Sequence, residues 1–297
     1  LSDNAKLIKN TTSVNELGIN YYHLNCSING IKLLEYSGSQ LRGAFGYALK
    51  KVCCINPSFK CDGCFASSQC LYFDFYEEKS KIHKYRFVPS GADTYAKFEL
   101  FLYEKATEKL PYILSALKIM VEEQGLGAGR KTGKLLSITA SNATIFDGAN
   151  FNLSFAVPVE FSPKPLSKKL QINFITPLRL KSNEKRIDSN EIDIVKICLS
   201  ILHRYDELID EPRQKRYLTT KSIEIDRQLI FIDTARYSNR QKTKMSLGGF
   251  TGKILYDNVD EQTANILQLG ELIGVGKSCV FGLGKIKLEE GDMNGYK

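Results

Sequence analysis

Two spacings of apolar residues alternate along the chain. In "SQLRGAFGYALKKV", Leu41, Ala44, Phe45, Ala48, Leu49 and Val52 recur every three or four positions and predict an amphipathic helix, with Ser39 placed to cap it. The preceding "INYYHLNCSINGIKLLEY" reads as a strand and its exit. Farther on, "KYRFVP" and "AKFELFLYE" read as strands, the second setting Phe98, Leu100 and Leu102 against Glu99 and Phe101. "TEKLPYILSALKIMVEEQG" predicts a helix that tolerates Pro111 near its first turn and stops at Gly125, and "KLLSITASNATIF" returns as a strand. The order is strand, helix, strand, strand, helix, strand.

The second half repeats that order. "KLQINFITPLRL" is a strand, and "SNEIDIVKICLSILHRYDELI" is a helix with Ile194, Ile197, Cys198, Ile201, Leu202, Tyr205 and Leu208 on one face. "TKSIEIDRQLIFIDTARY" and "KMSLGGFTGKILYDN" read as strands, "DEQTANILQLGELIG" as a helix and "VFGLGKIKL" as a closing strand. Two βαββαβ units predict an α+β, tandem ferredoxin-like (RRM-like) fold. The expected units are residues 18–150, with a cysteine-rich insertion at 53–76, and 151–290, with a glycine-rich loop at 274–284. Between them, the middle of "DGANFNLSFAVPVEFSPKPL" allows an extra strand.

Composition narrows the class. With 43% hydrophobic and 25% charged residues the 297-residue chain is expected to be a soluble globular protein, and no apolar run approaches the ~18 residues of a membrane span. The opening "LSDNAKLIKNTTSVNE" lacks the features of a secretory signal, which points to the cytoplasm and to reduced thiols. The absence of an initiating methionine fits a trimmed chain or a segment of a longer one. A formal charge of +8 admits nucleic acid as a partner.

"GELIGVGKSCVFGLGKIKL" resembles a nucleotide-binding P-loop only superficially. Gly276, Lys277 and Ser278 would need glycine at the position of Glu271, and a helix enters where a strand should. Gly270, Gly274, Gly276, Gly282 and Gly284 let backbone amides approach a ligand or hold positive φ, although a hairpin-like turn explains them equally well. Lys277 and Lys285 add charge, and Phe281 offers a stacking face or a core anchor.

Five cysteines, Cys53, Cys54, Cys61, Cys64 and Cys70, fall within eighteen residues. Thiolates of Cys54, Cys61, Cys64 and Cys70, with Cys53 as the alternative to Cys54, would close a structural zinc site with no open position for catalysis. The spacing equally admits an iron–sulfur cluster or plain apolar filler. Cys26, Cys198 and Cys279 sit in periodic segments and read as core residues.

The order of motifs carries a resemblance. "GVGKSCVFGLGK", preceded by "LRGAFGYALKKV", "CDGCFASSQCLY", "LPYILSALKIMVEEQGLGAGR", "FITPLRLK" and "RYSNRQKTKMSLGGFTGKILY", resembles the RAMP superfamily of CRISPR-associated proteins, in its Cas-six branch of repeat-transcript endoribonucleases. The likeness runs from about residue 20 to 288. It implies two ferredoxin-like folds, a CRISPR repeat transcript as RNA partner, and CRISPR effector or adaptation proteins as further partners. It also implies cleavage without a catalytic metal, in which a ribose 2′-hydroxyl attacks the adjacent phosphate and leaves a 2′,3′-cyclic phosphate and a 5′-hydroxyl. A catalytically weak or inactive RNA-binding RAMP subunit of a CRISPR complex or of a longer fusion protein is the alternative.

The basic stretches fit an RNA partner. Residues 234–246 hold Arg236, Tyr237, Arg240, Lys242 and Lys244 with no acid, combining phosphate attraction with a stacking ring. Arg130 and Lys131 lie in a second glycine-basic segment. With Arg42 and the loop residues Gly274, Gly276, Lys277, Ser278, Phe281, Gly282 and Gly284, these form the expected RNA-binding set.

The expected chemistry wants a base, an acid and cations. Family members often carry a histidine on the first helix and another just before Val-Gly-Lys; here these positions are Tyr47 and Gly274. Helical geometry groups Gly43, Tyr47, Lys50 and Lys51, so Tyr47, Lys50 and Lys51 become the catalytic candidates, with Tyr36 just ahead of the helix. A phenol is a poor base at neutral pH, which implies slow, placement-driven cleavage or none. Of the histidines, His203 lies opposite the apolar stripe of its helix and reads as a surface residue. His83 shares a strand face with Tyr85 and Phe87 and reads as structural, and His23 in the first strand is the outside catalytic candidate.

Overall fold

The computed structural model describes residues 17–78, 82–90, 96–141, 143–182, 185–233, 235–238 and 243–291. Strand β1 (Asn20–Asn29) buries Tyr22, Leu24, Cys26 and Ile28 on one face, and this two-residue period places it at the centre of a sheet. Helix α1 (Gly38–Cys53) follows, then β2 (Tyr85–Ser90), β3 (Ala96–Tyr103), α2 (Leu110–Ile119), β4 (Lys134–Ala140) and β5 (Ala143–Phe146). The sheet runs β2-β3-β1-β4-β5 with antiparallel neighbours. A short β6 (Val159–Glu160), from the segment between the expected units, pairs with β1 at Asn20 and Tyr21.

The second unit is built alike. It comprises β7 (Leu170–Leu178), a small ribbon of β8 (Lys181–Ser182) and β9 (Lys185–Arg186), α3 (Ile194–Leu208), β10 (Ile223–Ile232), a ribbon of β11 (Ala235–Ser238) and β12 (Thr243–Ser246), β13 (Gly249–Asp257), α4 (Glu261–Ile273) and β14 (Ile286–Glu290). Its sheet runs β10-β13-β7-β14. In both sheets the first and third main strands of the unit are central neighbours, which is the tandem ferredoxin-like plan read from the periodicity.

Differences are local. Ser39 lies inside α1; the capping position is Ser37, whose buried Oγ has no hydrogen-bond partner. The run 134–146 breaks at Ser141, held at φ 54°, into β4 and β5. The long strands of the second unit each split, so that β11 and β12 extend the β10–β13 hairpin. All seven residues of the predicted α3 stripe are buried.

One core lies between the first sheet and α1 and α2, centred on Phe45, Phe87, Leu100, Leu117 and Ile138. The second lies under α3 and α4 and takes in Ile19, Val88, Phe101 and Tyr103 from the first unit, so the two units share apolar surface. At that junction Arg86, fully buried, donates from Nη1 to the Leu272 carbonyl at 3.2 Å, and Tyr103 Oη donates to the same oxygen at 2.9 Å. Arg204 Nε donates to the Ile273 carbonyl at 2.7 Å. Two cations and a phenol thus cap the negative end of α4, where helix carbonyls otherwise lack partners. Among the described residues no helix is long and apolar enough to cross a membrane.

Candidate functional site

The glycine loop begins where α4 ends. Gly284 has φ 65°, and a β-carbon there would stand 1.8 Å from the Val275 carbonyl oxygen. At Gly276, φ 81°, it would stand 2.5 Å from that of Arg179. The amides are engaged as well: Gly274 donates to Gly270, Gly276 to Ser200 Oγ at 3.0 Å, Gly282 to Cys279 and Gly284 to Pro177. All four of these amides donate to the protein itself, so the loop closes on its own backbone, on Ser200 of α3 and on β7. At position 274 a β-carbon would crowd the Arg86 guanidinium carbon at 3.0 Å and Cys279 Sγ at 3.1 Å, and φ 83° strains any residue but glycine. Phe281 packs against the first core with the Arg42 guanidinium 5.7 Å from its ring, as a core anchor would.

Beside this loop lies a cleft of about 700 Å³. Its walls are Ile82 and His83 from the first unit, Arg179–Lys181 after β7, Lys196, Ser200, His203, Arg204 and Glu207 on α3, Arg213, and Gly276–Val280 of the loop. Among the described residues the lining cations are Arg179, Lys181, Lys196, Arg204, Arg213 and Lys277, against the one lining carboxylate of Glu207. Arg213 approaches Glu207 at 3.5 Å, and Lys196 is paired with Asp193 at 3.2 Å. Arg179 donates to Ser278 Oγ at 2.8 Å, which ties the loop to the cleft wall. Arg204 is 8% exposed and its Nη2 has no hydrogen-bond partner, so a buried donor remains in a wall of the cleft.

His83 precedes β2 rather than sharing its face, and its ring turns toward this cleft. Arg42 Nη2 donates to His83 Nε2 at 3.3 Å, so in the neutral ring Nδ1 carries the proton. Burial and the guanidinium groups of Arg42 and Arg204 hold the imidazole down to about 4. His203 lies across the same cleft, half-buried, its pKa lowered first by burial. The two histidines set aside in the sequence as structural and superficial therefore line one cationic space. A signal existed: Lys196, Ser200, His203 and Glu207 follow one another at helical spacing opposite the apolar stripe of α3.

The other expected residues are spread wider. Tyr47 is 60% exposed, Lys51 is ion-paired with Glu123 at 2.6 Å, and Lys50 lies 5.0 Å from the Tyr72 ring centre. Tyr36 has φ 59°, and burial followed by Glu35 pushes its phenol up to about 12. His23 stacks on Phe101 at 4.3 Å and donates from Nε2 to Glu99 at 2.7 Å, while Lys285 holds the other carboxylate oxygen at 2.7 Å. None of these lines the cleft. Arg130 and Lys131 occupy an exposed turn closed by a bridge from Leu126 to Lys131. Arg236, Tyr237 and Lys244 belong to the β11–β12 ribbon, and Arg240 and Lys242 lie outside the described residues.

Cys53, Cys54, Cys61, Cys64 and Cys70 line one small cavity at the end of α1. Among the described residues no group of three or more His, Cys, Asp or Glu is arranged, as placed, to hold a metal ion.

Comparison with known proteins agrees with this architecture. The CRISPR-associated endoribonuclease Cas6 family matches residues 172–286, and a family described as an N-terminal domain matches 19–155. An uncharacterized protein of Archaeoglobus fulgidus is 23% identical over 280 residues, covering 86% of this chain and 92% of the relative. Among solved structures, a Cas6 product complex superposes with TM-score 0.57 at 15% identity, covering 91% of this chain and 100% of that one. Thermus thermophilus Cas6 gives 0.54 at 14% identity over 91% and 99% of the two chains. A partial Cas6-RT-Cas1–Cas2 complex gives 0.52 at 13% identity, where 94% of this chain covers 47% of that one. The glycine loop and most of the second ferredoxin-like unit thus lie in the region that matches the CRISPR-associated endoribonuclease Cas6 family, and the solved Cas6 structures share the fold of the chain.

Proposed function

We propose that this chain binds CRISPR repeat RNA in the cleft between its units and cuts the precursor transcript without a catalytic metal. The products are a 2′,3′-cyclic phosphate and a 5′-hydroxyl. The observation that carries this is the position of His83: a neutral imidazole facing the glycine loop within a ring of cations. A base must be unprotonated before it acts, and burial, reinforced by the two guanidinium groups, favours that form. A bound phosphodiester offsets their charge, raises the affinity of the imidazole for a proton and so strengthens it as a base where RNA sits. Once Arg42 Nη2 turns from Nε2 to the phosphate, the freed His83 Nε2 lone pair takes the 2′-hydroxyl proton as the oxygen attacks phosphorus, the bond to the 5′ oxygen breaks and that oxygen takes a proton from solvent. Lys277 and the spare Nη2 donor of Arg204 offset the charge that develops on the phosphate. The Cas6 family match and the likeness to a Cas6-RT-Cas1–Cas2 complex support RNA and CRISPR adaptation proteins as partners.

A second assignment places proton transfer on α1, through Tyr47 with Lys50, Lys51, Tyr36 or His23. Its support is the 60% exposure of Tyr47, which leaves the phenol open to a ligand. Single-turnover cleavage of the cognate repeat RNA in EDTA separates the cases. The wild-type chain should produce a cyclic-phosphate end. His83→Ala should lower the rate by about 100-fold or more while RNA affinity stays within about threefold. A loss with Tyr47→Phe instead moves the chemistry to α1. Tight binding with intact RNA makes the chain a non-cleaving RNA-binding subunit.

A further inference from the structure

Residues 53–74 touch the first core only at their ends, through Cys53, Leu71 and Tyr72. No residue among them is buried, and Ile55, Phe59 and Phe65 are 71%, 50% and 74% exposed. The bonds that shape the segment are local: Phe59 N to the Asn56 carbonyl, Cys64 N to that of Cys61 at 3.2 Å, Ser67 N to that of Cys64, and Cys70 N to that of Ser67. Fixing so many backbone angles costs conformational entropy that neither apolar burial nor these turns offset. A tie of another kind is required.

The thiols are placed to supply it. Cys54 ends α1, Cys61 and Cys64 flank a turn in which Gly63 takes φ 65°, and Cys70 opens the helical turns that bury Phe75. Three separate pieces of chain thus direct sulfur into one cavity. Among the described residues the cavity is also lined by Lys50 and Lys60 and by no carboxylate. Four thiolates around a divalent ion carry a net charge of about −2, and two neighbouring ammonium groups offset it.

We propose that Cys54, Cys61, Cys64 and Cys70 bind one structural zinc ion as thiolates, each thiol releasing its proton to solvent on binding. Cys53 packs against the first core and stays outside the set. As placed, the four do not converge on a common point; the Cys54 thiol instead reaches the Asn56 carbonyl at 3.7 Å. That contact is long and weak. Soft sulfur donors in a closed tetrahedral set suit zinc and exclude hard cations such as magnesium. The ion would lock the end of α1 to the turn carrying Tyr76, whose hydroxyl donates to the Arg42 carbonyl at 2.6 Å and whose ring lies 4.5 Å from the Arg42 guanidinium. It is a structural element and takes no part in the RNA chemistry.

The full chain, purified from zinc-supplemented cells, should hold about one zinc per chain by plasma mass spectrometry. A mercurial thiol reagent should release the same amount, and cobalt exchange should give thiolate-to-cobalt absorption bands. Cys61→Ser with Cys64→Ser should cut the metal content by roughly tenfold, whereas Cys53→Ala should keep it. Wild-type protein without zinc, iron with broad visible absorption, or full zinc retention in the double variant overturns the site. Loss of zinc in Cys53→Ala with retention in Cys54→Ser overturns the ligand set. If the double variant does not fold, mercurial release and the cobalt spectrum of the wild-type chain decide alone.

Discussion

His83 and Glu99 are held in opposite ionisation states by their surroundings. Burial, Arg42 and Arg204 keep His83 neutral down to about pH 4, below the ordinary 6.5. The unfolded chain takes up that proton first, so stability declines as pH falls from about 6.5 to 4 and levels off below. Burial alone would raise Glu99, but the hydrogen bonds and charges of His23 and Lys285 override it and hold the carboxyl at about 2, below the ordinary 4.5. That contribution is fully present above about pH 4.5 and is lost as pH falls toward 2. Urea midpoints measured against pH should therefore fall in two steps, His83→Gln removing the upper one and Glu99→Gln the lower. Neither shift is legible in the sequence, because the groups responsible lie 41 to 186 residues away.

At the scale of elements, the glycine loop is a packing device before it is a binding one. At Gly284, φ 65°, a β-carbon would collide with the Val275 backbone of the same loop, so Gly284→Ala should destabilise the chain by roughly 2 kcal/mol or more, read from the urea midpoint. A substitution at the exposed and open Gly129 should change it by less than about 0.5 kcal/mol. Helix α3 carries two stripes. Spacing identifies the apolar one and reads His203, on the other, as a surface residue, because periodicity separates inside from outside and does not separate bulk water from a cleft.

For the whole molecule, the shared apolar surface between the units places the segment before β2 opposite α3 and the loop. The resulting cleft concentrates positive charge contributed by distant stretches of a chain whose overall charge is only +8. RNA affinity should fall steeply with salt, and Lys277→Ala and Lys181→Ala should each reduce the slope of log K against log salt by about 1. Binding indifferent to salt would remove phosphate contacts as the main attraction.

From the residue pattern alone came the two βαββαβ units, the buried stripe of α3, the glycine loop, the cysteine cluster and the family likeness. These features depend on neighbours within a few positions, where periods of two and 3.6 residues and short motifs are defined. Tertiary structure decided the rest. It turned His83 and His203 into one cleft, consumed the glycine amides in the protein's own bonds, and set Arg86 where a side chain at position 274 would crowd it. A site assembled from residues 82 to 280 exists only after the sheets dock, because apolar contact between the units, rather than local spacing, brings those side chains within reach.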